Sequence, residues 1–191
     1  TRRFLSYDNI ERGRIKMADK DLFLKNYSFY GKHCDMVKKL TQKIDEESGA
    51  SVFNTTIELF VVAALVGVKN NHKEKPSIDR TRDTKILAEQ FNSHTQEVQI
   101  AFKMVTLLGN STKYDEVERL NKTFRNPKTD ENYSQFEEYM LGGLEDIYNK
   151  IMLDTNKTYG DYLKSINGFI EQFKLPVKED ELVPDSNNLF D

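Results

Sequence analysis

One cysteine, Cys34, stands in 191 residues, so no intramolecular disulfide can form, and a reducing compartment is permitted. No run reaches the roughly 20 apolar residues that span a bilayer. The most intense, Leu59 to Val68, is too short, so no membrane association is expected. The stretch from Arg2 to Lys20 is charged where an export signal would be apolar, and a cytoplasmic location is the expectation. Only three histidines occur, His33, His72 and His94, and none stands at metal-ligand spacing from another His, Cys or Glu. A Gly-rich phosphate loop ending in Lys-Ser or Lys-Thr, a strand-flanked glycine triplet and a serine nucleophile elbow are all lacking. Nucleotide hydrolysis and acyl transfer are therefore disfavoured. No catalytic residue, metal or cofactor is expected, and a non-enzymatic role is favoured.

What is present is an ordinary soluble composition: 38% hydrophobic and 31% charged residues, with a net charge of -3. Neither a disordered chain nor a strongly basic nucleic-acid protein is indicated. The length suits one domain, able to bury roughly two-thirds of the surface its unfolded chain would expose. Thr1 in place of methionine makes the sequence read as trimmed at its start. Residues 1–16 form a basic arm with Arg2, Arg3, Arg12, Arg14 and Lys16, residues 17–175 a single helical domain, and residues 176–191 an acidic flexible tail.

Within the domain the apolar spacing is helical throughout. Tyr30, Cys34, Val37, Leu40 and Ile44 recur at intervals of four and three, which places Cys34 on a buried stripe as a small core residue. Thr55 and Glu58 make a capping box, so a helix begins there. The run from Ile57 to Val66 is apolar on all sides, as befits a helix at the centre of the domain. Its β-branched residues also suit a buried strand, but the cap and the alanines favour helix.

A short helix is expected at Ile86, Leu87 and Phe91, one capped by Thr95 and ending at Gly109, and another carrying Tyr114 to Phe124. The longest pattern opens at Asp130 or Asn132 and runs to Ile151. The last spans Tyr159 to Phe173 before Pro176. Gly142 and Gly143 interrupt the longest one at a cost of about 1 kcal/mol each relative to alanine. Either another backbone approaches closely there or the helix breaks in two. The expected fold class is all-α, an irregular bundle of about six to eight helices around the central apolar one.

The best functional candidate is the basic stretch between these helices. Lys69, Lys73, Lys75, Arg80, Arg82 and Lys85 outnumber Glu74, Asp79 and Asp83, and Pro76 marks an irregular segment. Such a loop can neutralise phosphates or meet an acidic partner. Glu138 and Glu145, seven apart on one helix face, could hold a divalent cation, although a solvated outer face is the ordinary reading.

Two stretches carry a family resemblance: Phe60 to Lys69, ending Ala-Leu-Val-Gly-Val-Lys before a loop with Lys75-Pro76, and Phe136 to Tyr148, Phe-Glu-Glu-Tyr-Met-Leu-Gly-Gly-Leu-Glu-Asp-Ile-Tyr. They resemble small accessory proteins of bacterial DNA-phosphorothioation (Dnd-type) modification and restriction systems. The resemblance implies a helical, non-catalytic component of an antiviral DNA-defence locus, with Gly142-Gly143 as a shared packing feature. It identifies no active site. The expected function is an accessory or adaptor subunit that contacts DNA or a protein partner subunit through the basic loop. Two alternatives stay open: a protein-interaction module that never touches nucleic acid, and a metal-dependent hydrolase or nuclease whose site is drawn from distant residues.

Overall fold

In the computed structural model, residues 23–109, 111–153 and 157–174 are described. The basic arm and the acidic tail lie outside them. Along the chain run β1 (Tyr27–Tyr30), α1 (Gly31–Thr41), α2 (Thr56–Asn70), β2 (Asp83–Ile86), α3 (Ala88–Ser93), α4 (Thr95–Gly109), α5 (Glu116–Leu120), α6 (Asp130–Met152) and α7 (Tyr159–Glu171). A π-helical turn over Asn121–Arg125 follows α5. The fold is mostly α, with seven α-helices and one two-stranded sheet among the described residues.

The Thr55 hydroxyl accepts from the Glu58 N–H at 3.3 Å, and the Glu58 carboxylate accepts from the Thr55 N–H at 3.1 Å. These bonds satisfy two N-terminal donors and start α2. Ile57, Leu59, Phe60, Ala63, Ala64, Val66 and Gly67 are buried along it, which makes α2 the central helix. Its principal partner is α6, which stays continuous through Gly142 and Gly143. A Cβ on Gly143 would lie 1.9 Å from the Ala63 carbonyl oxygen, and one on Gly67 would lie 1.8 Å from that of Tyr139. Backbone meets backbone there, which offsets the helix-propensity cost of the glycines.

An aromatic cluster fills the other end of this interface. Phe60 stands 5.4 Å from both Phe91 and Phe136 and 5.5 Å from Tyr27, centroid to centroid. Phe23 stacks on Phe91 at 5.2 Å. Cys34 is fully buried, as its place on the stripe implies.

Several boundaries differ from the sequence expectation. α1 stops at Thr41, and Ile44 lies in a turn where its N–H donates to the Ala50 carbonyl. Thr95 is the first residue of α4, and its hydroxyl donates back to the carbonyls of Phe91 and Asn92. α6, by contrast, opens at Asp130 as expected, capped by Thr129, which accepts from the Asn132 N–H. Ile86 belongs to a strand rather than a helix. Antiparallel pairing of Tyr27 with Ile86 and Tyr30 with Asp83 buries it, and this pairing brings the basic segment alongside α1.

Candidate functional site

The chain leaves α2 through Asn71, which sits in the left-handed region at φ 51° and sends its N–H back to the helix carbonyls. The next residues lie across α6. A Cβ on Gly142 would fall 2.2 Å from the His72 carbonyl oxygen and 2.9 Å from the Lys73 nitrogen. The Glu74 N–H donates to the Glu138 carbonyl at 2.9 Å. The two glycines of α6 therefore serve different partners, Gly143 the α2 backbone and Gly142 the segment from His72 to Glu74.

That approach gathers side chains from three parts of the chain. The ligand atoms of His33 on α1, Glu74 on the loop and Glu145 on α6 all lie within 4.8 Å of one another. His33 Nε2 is 3.4 Å from Glu145 Oε1. The Lys32 ammonium touches Glu145 and lies 3.2 Å from Glu74. Glu145 raises the Lys32 pKa, whereas burial and then the Lys32 charge lower that of His33, so the imidazole is kept neutral. Beside this trio His72 bonds Asp146 through Nδ1 at 2.8 Å, leaving its Nε2 3.8 Å from Glu74. Asp146 also accepts from Asn70 at 2.8 Å.

Glu145 is thus largely enclosed, not a carboxylate on a solvated face. Nor is it paired with Glu138, since seven residues of helix separate them by about 10 Å of rise. Glu138 instead lines a groove with Lys73, Lys113 and Glu131.

The six cations of the basic stretch take different positions. Lys69 is tied down at the end of α2, donating to the Gln172 carbonyl at 2.6 Å and lying 3.6 Å over the Phe173 ring. Lys73 lies over Tyr139 at 4.5 Å, and Arg80 over Tyr30 at 3.9 Å. Arg82 pairs with Asp35 at 2.8 Å, and Lys85 with Asp83 at 3.4 Å. Lys75 is exposed and has no ion pair among the described residues. The tip of the same loop carries Ile78, 95% exposed.

Residues 31–182 match the family model for DNA sulphur modification system-associated protein 4. The chain belongs to that family. No curated protein and no solved structure matches it. In this member of the sulphur-modification-associated proteins, no helix among the described residues is long and apolar enough to cross a membrane.

A cleft of about 290 Å³ separates the basic loop from β1 and α6. In it Tyr27 donates from its hydroxyl to Glu137 at 2.9 Å. Burial raises the Glu137 carboxyl above its ordinary 4.5, against the opposing pulls of Tyr27 and Arg80. A raised carboxyl holds its proton more tightly in the folded state. Its contribution to stability is complete below the unfolded value of 4.5 and is lost as pH rises through the folded value. Glu137→Gln retains an acceptor for Tyr27 and removes that loss. Thermal melts should show a small gain over the parent at pH 7 that disappears towards pH 4; a pH-independent difference would contradict the assignment.

Proposed function

We propose that this protein is a non-catalytic accessory subunit of a DNA sulphur modification assembly, engaging a protein partner through the loop between Lys69 and Lys85. Family membership carries the accessory role. The contact is inferred from the loop's surface. Five of its six cations are held over aromatic rings or beside acids of this same chain, which leaves only Lys75 free to reorient onto phosphates. An isoleucine at 95% exposure, three residues from the exposed Lys75, suits the apolar part of a protein interface better than a phosphate track.

The test uses two arms. Co-purification with the proteins of a sulphur modification system should be lost in the double variant Lys75→Glu, Ile78→Asp, with the melting temperature unchanged. Duplex and single-stranded DNA are titrated across a salt series in parallel, with Lys73, Arg80 and Arg82 changed together to Ala for comparison. Salt-dependent DNA retention with a shallower slope in the triple variant, and no partner capture, would replace the protein contact with a phosphate contact.

The outer face of α4 favours a second reading, partner binding away from the loop. Ile100, Met104 and Leu108 are exposed at intervals of four residues, a stripe on one helix side. Partner capture lost in Met104→Asp but retained in the loop variant would select it.

A further inference from the structure

The His33, Glu74 and Glu145 cluster gathers an imidazole and two carboxylates from three parts of the chain. His33 is 1% exposed and its buried Nε2 makes no hydrogen bond, while the buried Glu145 Oε1 is met by the half-exposed Lys32 ammonium. A buried nitrogen left without a hydrogen bond is rare in folded proteins and calls for an explanation in an ion, a ligand or strain. Lys32 supplies one positive charge against two carboxylates, and its side chain is half exposed, free to swing outwards.

The geometry points to a site for one divalent transition-metal ion of the zinc class, held by His33, Glu74 and Glu145, with the Lys32 ammonium standing in the cation's place. Zinc bonds of about 2.0–2.1 Å set two ligand atoms about 3.4 Å apart at the tetrahedral angle. His33 Nε2 and Glu145 Oε1 are 3.4 Å apart. Two carboxylates balance a dication, and an imidazole nitrogen selects zinc, cobalt or nickel over magnesium or calcium. Glu74 is fixed on α6 by its own N–H, so the third ligand does not depend on a free loop. His72 supplies either the fourth ligand or the outer layer. Its Nδ1 is already engaged by Asp146, the arrangement that orients a metal-binding imidazole, and its Nε2 faces Glu74. The site is independent of which surface the accessory role uses.

Co²⁺ is titrated into the full chain and followed by its visible absorption and by calorimetry, with Zn²⁺ as competitor. The expected result is one ion per chain, absorption bands of four-coordinate intensity, and displacement by Zn²⁺. Glu74→Gln and Glu145→Gln should each weaken uptake by roughly tenfold or more. Lys32→Gln should bind more tightly than the parent, because it removes the competing cation. Circular dichroism melts accompany each variant. Should Glu145→Gln not fold, Glu74→Gln decides, since Glu74 lies on a partly exposed loop. The inference is overturned if the folded parent takes up no ion, if uptake is unchanged in the glutamine variants, or if Lys32→Gln loses stability without gaining uptake. That last result would make Lys32 the permanent cation of the cluster.

Discussion

Gly143→Ala is expected to destabilise the protein by about 3 kcal/mol or more. In an isolated helix the same substitution gains about 1 kcal/mol, so the sign of the effect reports on tertiary contact alone. The added Cβ would sit 1.9 Å from the Ala63 carbonyl oxygen and 2.5 Å from the Gly67 nitrogen. Both are backbone atoms of the central helix, and neither can rotate aside as a side chain would. α2 and α6 must separate, and the whole buried surface between them loosens. Gly168→Ala supplies the control. It lies on the exposed side of α7 with nothing within 4 Å of the new methyl, and should stabilise by up to about 1 kcal/mol. Urea denaturation of the pair should therefore move the midpoint in opposite directions. Equal midpoints would mean that the helices slide apart without cost and that the close contact does not govern the fold.

The same contact shows how far the sequence could be read. A glycine pair inside a helical pattern signals close backbone approach, and the central position of an all-apolar helix follows from its lack of a polar face. What the spacing could not supply is the division of labour between the two glycines. Gly143 meets α2, but Gly142 meets His72 and Lys73 after α2 has ended. The two strands were illegible for a related reason. Each is four residues long, and the pairing joins Tyr27 with Ile86 across a gap that no periodicity records.

The candidate site was read only in part. The basic segment stands out in composition, yet its charges are redistributed by partners on other elements, Asp35 and Tyr30 among them. His33, Glu74 and Glu145 escape any spacing rule because they come from α1, a loop and α6. One signal was present. His72 and Glu74 follow directly on a helix packed against a glycine of a partner helix, and a segment held that closely brings its side chains against its neighbour's. Which neighbour it meets is a property of the fold.

Phe60→Ala tests the other end of the central interface, with an expected loss of about 3–5 kcal/mol. The ring is 2% exposed and stands between α3, α6 and β1, within 5.5 Å of Phe91, Phe136 and Tyr27. Removing it opens a cavity bounded by rigid rings, which cannot flow inwards as flexible aliphatic chains can. Phe60→Leu fills part of that space and should cost less, on the order of 1–2 kcal/mol. Phe124→Ala removes the same atoms from a half-exposed position and should stay within about 0.5 kcal/mol of the parent. Denaturation midpoints in that order would establish that the aromatic cluster, not aromatic content in general, fastens α2 to its neighbours. A Phe60→Ala loss no greater than that of Phe124→Ala would place the stability of the bundle elsewhere, at the glycine contact. The comparison also bears on the metal site. Phe60 and Gly67 lie on one helix, and the segment carrying His72 and Glu74 starts from that helix's end, so a loosened α2 should weaken ion uptake even with every ligand intact.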